Sequence, residues 1–134
     1  MIRRIAVLTP EVQELLALAM FPDPQRTAAA LESYASDPQR QVWVWETNGR
    51  SVCAVGVKVS GAVAEILHIG TGPRSRGQGA GRALLSGLMT ELRLERLEAE
   101  TDDEAVGFYR RTGFSAEQTE HRGGHVRYRC VLKA

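Results

Sequence analysis

The sequence predicts an α+β domain with a mixed, mostly antiparallel sheet of six or seven strands, flanked by helices. Two observations carry this prediction. Between residues 41 and 69, three consecutive segments have the β-branched, alternating pattern of strands joined by short turns. A helical segment that begins near residue 80 then separates two strand-like segments, and such a crossover makes the strands that it joins parallel. The predicted order of elements is βααβββαβαββ.

The N-terminal third predicts one strand and two helices. Ile2–Leu8 has the alternation of a short strand, and Pro10–Met20 places its apolar residues on one helical face. The apolar period of Thr27–Tyr34 predicts a second helix.

The centre of the chain predicts three antiparallel strands. Gln41–Glu46 and Val52–Val59 are rich in β-branched and aromatic residues, and Asn48-Gly49 between them is a hairpin turn signal. Ala62–Ile69 is expected to be the third strand.

The C-terminal part predicts the crossover unit and a final hairpin. The crossover helix is expected to begin near Ala80, with its leucines on one face. Thr101–Glu104 has the spacing of a capping box, which predicts that the last helix starts there and stops at Gly113. The other predicted strands are Arg96–Glu100, Phe114–Gln118 and Val126–Leu132, the last two joined at Gly123-Gly124.

Composition and charge limit the class of protein. With 134 residues, 43% of them hydrophobic and 25% charged, the chain is expected to fold as one domain over residues 1–134 without a metal or a disulfide. The net charge of +1 does not indicate nucleic-acid binding. Cys53 and Cys130 are expected to be free core thiols. Since no signal peptide or long apolar segment is apparent, we expect a cytoplasmic protein that does not bind membranes.

The segment Pro73–Leu85 combines three glycines with three arginines directly before a helical pattern. Bare backbone, positive charge and a helix start together favour a phosphate-binding site. A P-loop would need a Gly-Lys-Ser/Thr ending, and the sequence has no lysine between Lys58 and Lys133. A Rossmann fingerprint would need a third glycine where Arg82 stands.

Two motifs resemble those of the GNAT family of acetyltransferases. Arg76–Gly81 resembles the signature Arg/Gln-x-x-Gly-x-Gly/Ala, which in that family holds the pyrophosphate of coenzyme A. Ala105–Phe114 resembles the family's second signature, with an aromatic-tyrosine pair and a closing Gly-Phe. One departure is Asp102, which stands where many members have asparagine and weakens one expected cofactor contact.

The resemblance implies a fold and a cosubstrate. It implies that acetyl-CoA binds without a metal, in a sheet splayed between the strand ending near Thr71 and the strand around Leu97. The pantetheine arm would lie along Ile69–Thr71, where Gly70 either admits the cofactor or marks a bulge. The implied cofactor-binding residues are Ile69, Gly70, Thr71, Arg74, Arg76, Gly77, Gln78, Gly79, Ala80, Gly81, Arg82, Asp102, Phe108 and Tyr109.

Acetyl transfer to an amine needs a group that accepts a proton and a group that donates one. By resemblance, Glu65 stands at the position of the catalytic glutamate of histone-acetylating members, and Tyr109 at that of a tyrosine beside the cofactor sulfur. His68 and water remain alternatives to Glu65. Strand alternation places Glu65 and His68 on opposite faces unless a bulge intervenes. The alternative is that Tyr109 is a core residue, because it shares a helical face with apolar neighbours.

The resemblance therefore predicts an N-acetyltransferase that moves an acetyl group directly from acetyl-CoA to a primary amine. The acceptor, a small molecule or a peptide amine, is left open. A homodimer is a further expectation, because many relatives dimerise. An acyl-CoA sensor without activity is the alternative, and an NAD(P)-binding oxidoreductase is a more remote one.

Overall fold

The computed structural model describes residues 1–134, except the side chains of residues 120–122. Its elements follow the predicted order. The strands are β1 (Ile2–Ile5), β2 (Arg40–Thr47), β3 (Arg50–Ser60), β4 (Val63–Thr71), β5 (Arg96–Thr101), β6 (Ser115–Arg122) and β7 (His125–Lys133). The helices are α1 (Pro10–Ala17), α2 (Pro24–Ser36), α3 (Ala80–Glu91) and α4 (Val106–Arg111), with a short 3₁₀ turn at Pro73–Ser75.

All seven strands form one sheet in the order β1-β2-β3-β4-β5-β7-β6. The β4–β5 pair is parallel and the other neighbouring pairs are antiparallel. α3 provides the crossover between β4 and β5, as the sequence predicts. The mixed, mostly antiparallel α+β class is therefore confirmed.

Local capping sets where the helices begin. Pro10 and Pro24 stand in the first turns of α1 and α2, where a missing N–H costs little. The Asp23 carboxylate accepts the backbone N–H of Gln25 at 2.9 Å, so α2 begins three residues before the predicted Thr27. α1 ends at Ala17 rather than at the predicted Met20.

The predicted capping box at Thr101 is wrong. Thr101 is a buried residue of β5, and α4 begins only at Val106. The Asp102 Oδ1 atom instead accepts the backbone N–H groups of Glu104 and Ala105, at 3.1 and 3.0 Å. Burial of Thr101 in the sheet outweighs its local preference for a cap.

The sheet has a hydrophobic core on each face. α3 and α4 cover one face, where Val55, Ile66 and Leu84 are buried. α1 and α2 cover the other face over β1–β4, where Leu16, Val44 and Ala54 are buried. Cys53 and Cys130 are free thiols in the first core, as predicted. Among the residues that the structure describes, no helix is long and apolar enough to cross a membrane.

Candidate functional site

The parallel strands β4 and β5 separate halfway along their length. They pair from Val63 opposite Arg96 to Ile66 opposite Ala99, whereas β4 continues to Thr71 and β5 to Thr101. The separated ends, residues 67–71 of β4 and residues 100–101 of β5, form a wedge in the sheet. Backbone groups on this side of β4 are left for a ligand. The splay expected between Thr71 and Leu97 is thus confirmed.

A β-bulge in β4 lies where the wedge begins. Gly56 of β3 pairs with His68 and Val57 pairs with Ile66, which leaves Leu67 as an extra residue. A bulge bends its strand and increases the local twist. Because this bend directly follows the last β4–β5 pair at Ile66, it accounts for the parting of the two strands. The alternative that Gly70 marks a bulge is therefore wrong.

The bulge also decides which side chains share a face. Ile66 belongs to the core under α3, so Glu65 faces the side of α1 and α2. The extra residue Leu67 returns His68 to that same side, where it contacts Tyr34 of α2. Glu65 and His68 consequently lie on the same face of the sheet. Strand alternation alone would put them on opposite faces, and the bulge is the condition under which the sequence analysis expected otherwise.

The glycine loop (Arg76–Arg82) has a backbone that only glycine adopts readily. Gly77 and Gly79 have φ values of 77° and 81°, and a Cβ built on either would meet no other atom within 4 Å. Gly79 precedes α3, whose first hydrogen bond joins the Ala83 N–H to the Gly79 carbonyl at 2.9 Å. Within the described residues, no side chain caps this helix. The N–H groups in the first turn of α3 therefore have no side-chain cap and favour an anion.

Polar side chains of the loop hold its shape. Arg76 Nε donates to the Thr71 carbonyl at 3.3 Å, and Gln78 Nε2 donates to the Arg74 carbonyl at 3.4 Å. The side chains of Arg76 and Gln78 are exposed, as is that of Arg74 directly before the loop. Their charges and donors surround the open glycines without covering them.

The two motifs meet at Gly81. A Cβ there would lie 2.9 Å from Cε1 of Phe108, so the first turn of α3 packs directly on α4. Arg82 extends this contact, because its Nη1 donates to the Arg111 carbonyl at 3.4 Å. Segments that are about 30 residues apart in sequence thus border one site.

Gly70 has a packing reason as well. A Cβ at Gly70 would lie 1.9 Å from the Leu15 carbonyl oxygen, so glycine is what lets the end of α1 rest on β4.

The Cys53 thiol lies in the core under α3 and α4. Thr71 faces this core, and its hydroxyl donates to Cys53 Sγ at 3.3 Å. Burial raises the pKa of the Cys53 thiol to about 11, which disfavours a nucleophilic thiolate.

Tyr109 is a buried residue of α4. Its ring packs edge-to-face on Phe108 and on Phe114, with centroids 5.2 Å apart in both pairs. Burial, with a smaller effect of nearby Cys130, raises its pKa well above the ordinary value for tyrosine. The phenol is therefore protonated at neutral pH. Among the described residues, the structure records no hydrogen bond to its hydroxyl.

The sequence analysis did not identify Tyr34 as a site residue. Its hydroxyl lies 2.6 Å from His68 Nδ1, and burial raises its pKa. Burial and the positive charge of Arg40 lower the pKa of His68. A signal for this contact was present in Gly56, since a glycine inside a β-branched strand marks a close approach. A Cβ on Gly56 would lie 2.0 Å from the Tyr34 hydroxyl oxygen.

Solved structures with the same fold cover nearly the whole chain. A protein assigned to the GNAT family from Desulfovibrio desulfuricans aligns with a TM-score of 0.79 and 20% identity, over 99% of this chain and 98% of that chain. A GNAT family acetyltransferase from Elizabethkingia anophelis, solved with acetyl-CoA bound, aligns with a TM-score of 0.73 and 17% identity, over 100% and 97%. The ribosomal-protein-S18-alanine N-acetyltransferase of Escherichia coli aligns with a TM-score of 0.71 and 21% identity, over 99% and 94%.

At these identities the structural similarity shows the fold, and a family model adds the sequence evidence. The model of the acetyltransferase (GNAT) family matches residues 9–114, a range that includes the wedge, the glycine loop and α4. The chain therefore belongs to the GNAT family of acetyltransferases.

Proposed function

We propose that this protein transfers an acetyl group from acetyl-CoA to a primary amine. The observation that carries the proposal is the wedge between β4 and β5, placed beside an open glycine loop at the start of α3. The wedge offers strand-edge backbone groups to an extended arm, and the loop offers N–H groups to a pyrophosphate. Acetyl-CoA has both parts and supplies the activated acetyl group.

Each implied residue has a proposed task. Backbone N–H groups of Gly77–Arg82 bind the pyrophosphate, and the exposed guanidinium groups of Arg74 and Arg76 add positive charge. Ile69–Thr71 hydrogen-bond the pantetheine arm as a neighbouring strand would. Phe108 borders the glycine loop through its contact with Gly81. The Asp102 carboxylate already accepts two backbone N–H groups, so its proposed contribution is to shape the β5–α4 turn.

The proton transfers use side chains of β4 and α4. Tyr109 keeps its proton at neutral pH and is proposed to donate it as the carbon–sulfur bond breaks. The acceptor of the amine proton is proposed to lie on the shared face of Glu65 and His68. The Glu65 role that the resemblance implies stays a prediction.

A substitution at Gly79 tests the binding part of the proposal. Gly79→Asp puts a carboxylate into the open space where the pyrophosphate would bind, and we expect a loss of acetyl-CoA affinity of about 10²-fold or more. Calorimetry gives the dissociation constant. Gly61→Asp is the matched control, because Gly61 also has a positive φ, of 59°, and open space around it. Equal affinity in both folded variants would rule out the glycine loop as the pyrophosphate site.

A turnover measurement distinguishes an acetyltransferase from an acyl-CoA sensor without activity. Release of free thiol from acetyl-CoA is measured with a polyamine, an aminoglycoside, a lysine peptide and an N-terminal alanine peptide. Amine-dependent release supports the transferase. Acetyl-CoA binding without release by any amine would favour the sensor. Thermal stabilisation by NAD(P) in place of acetyl-CoA would favour the oxidoreductase, which the family match does not support.

A further inference from the structure

The position of His68 within the wedge distinguishes it from Glu65. Glu65 lies where β4 is still paired with β5, opposite Glu98. His68 lies beyond the last pair, in the separated part of β4 that directly precedes Ile69–Thr71. The proposed function lays the pantetheine arm, which carries the acetyl group at its end, along this separated part. Of the two residues, His68 is therefore the one whose backbone borders the wedge.

His68 is held by a buried tyrosine. The Tyr34 hydroxyl is 2.6 Å from His68 Nδ1, and the two rings meet edge-to-face with centroids 5.8 Å apart. Tyr34 is only 8% exposed, and Gly56 provides the space that its hydroxyl occupies. Two contacts thus fix the imidazole, and the hydrogen bond occupies Nδ1. The other ring nitrogen, Nε2, remains for a substrate.

The surrounding groups keep this imidazole neutral. Arg40 of β2 stacks on the Tyr34 ring, with its guanidinium carbon 5.7 Å from the ring centroid, and forms an ion pair with Asp37 at 3.4 Å. On β3 and β4, the charged residues Lys58 and Glu65 stand opposite each other. At the end of α1, the backbone carbonyl of Leu15 and the Cβ atom of Leu18 lie beside Gly70. Burial and the charge of Arg40 together lower the pKa of His68 below its ordinary value of about 6.5.

A neutral histidine with a free Nε2 is suited to accept a proton. For Nε2 to carry the lone pair, Nδ1 must carry the hydrogen and donate it to the Tyr34 oxygen. The Tyr34 hydroxyl can accept that hydrogen bond, so the contact is compatible with the tautomer that the reaction requires.

We infer that His68 accepts the proton of the attacking amine and that Tyr34 is its positioning residue. The inference rests on the proposed acetyl transfer. As the N–C bond to the acetyl carbonyl forms, the nitrogen loses one proton to Nε2 of His68. The C–S bond breaks, and the thiolate takes one proton from Tyr109. His68 then releases its proton and Tyr109 recovers one from solvent, so the reaction balances without a further reactant.

The test replaces His68 by asparagine. The amide of His68→Asn reaches the position of Nδ1 and keeps the contact with Tyr34, but it has no group equivalent to Nε2. Thiol release from acetyl-CoA is followed with methylamine at high concentration, a probe small enough to need no dedicated acceptor pocket. We expect kcat/KM to fall by about 10²-fold or more, with an unchanged dissociation constant for acetyl-CoA. His125→Asn, at an exposed histidine at the start of β7, is the matched control.

The pH profile gives a readout that packing alone would not change. As the pH falls below the pKa of His68, the imidazole becomes protonated and cannot accept a proton. In this range, we compare the slopes of log kcat/KM plotted against pH. The slope for the parent should exceed that for His68→Asn by about one. Exogenous imidazole should restore part of the turnover of His68→Ala. Tyr34→Phe should lose about 2- to 10-fold, the effect of one hydrogen bond.

The outcomes distinguish this inference from the proposed function. If His68→Asn turns over methylamine like the parent while Glu65→Gln loses about 10²-fold, the proton acceptor is Glu65 and the inference is overturned. If both variants match the parent, water is the acceptor and the inference is again overturned. If the parent binds acetyl-CoA but no amine releases thiol, the transfer itself fails, and the assignment of His68 fails with it. If His68→Asn loses acetyl-CoA binding, imidazole rescue of His68→Ala and the effect of Tyr34→Phe decide the question.

Discussion

The ring and the hydroxyl of Tyr109 have separable tasks. The ring fills space between Phe108 and Phe114, and these contacts stabilise α4 against the sheet. The hydroxyl has no recorded partner among the described residues, and its raised pKa keeps it protonated. The core role that the sequence analysis left open is therefore present in the structure, and the proton-donor role is compatible with it.

Removal of the hydroxyl tests the donor role. Tyr109→Phe keeps the ring, so we expect turnover to fall by roughly 10- to 10³-fold while the melting temperature and the acetyl-CoA affinity change little. Tyr128→Phe is the control, since it removes an exposed hydroxyl that donates to Asp103 at 2.7 Å. If Tyr109→Phe turns over as fast as the parent, the donor role is wrong and Tyr109 serves only in packing. In the parent, the raised pKa predicts no loss of rate from Tyr109 ionisation below about pH 10.

Residues that act through distant contacts were the hardest to predict. The motifs Arg76–Gly81 and Ala105–Phe114 were readable because their spacing is local. Tyr34 and His68 are 34 residues apart and belong to different layers, so no local pattern connects them. The bulge at Leu67 is also invisible in the sequence, because it depends on how β4 pairs with β3.

Elements were predicted better than their boundaries. Because one face of each strand or helix is buried, apolar residues repeat with the period of that element. The order of strands and helices can therefore be read from where the period changes. The boundaries depend on single capping groups, as Asp23 shows for α2 and Asp102 for α4. A tertiary requirement overrode the local signal at Thr101, which the sheet buries.

The contact of α1 with β4 gives a prediction about stability. Gly70→Ala would place a methyl group 1.9 Å from the Leu15 carbonyl oxygen, so α1 must shift, at a cost of about 1–3 kcal/mol in the free energy of unfolding. Urea denaturation measures this cost. Gly72→Ala is the control, because its Cβ would meet its nearest atoms at an ordinary 3.7 Å. Equal stability of the two variants would mean that α1 moves freely on the sheet.

At the scale of the whole molecule, the wedge divides the sheet into two parts. β1–β4 lie on one side and β5, β7 and β6 on the other, and residues 63–66 pair with residues 96–99 across the boundary. A ligand that hydrogen-bonds to β4 in the wedge would restore the interactions that a neighbouring strand provides elsewhere.

Hydrogen exchange can detect this effect. We expect acetyl-CoA to slow exchange of amides in residues 67–71 and at the start of α3, while amides of β2, paired on both sides, change little. Mass spectrometry of peptides from these segments measures the difference. Uniform protection of all strands would instead indicate a general stabilisation with no specific contact at the wedge.

The extra residue Leu67 also bears on how this gene can change. Losing a single codon from a strand normally turns every later side chain to the opposite face. Here the loss of codon 67 would leave Glu65, His68 and Gly70 on their present face, because Leu67 is the residue without a partner. We expect such a deletion to straighten β4 where the wedge begins. The bulge at which the two strands part thus depends on a single codon.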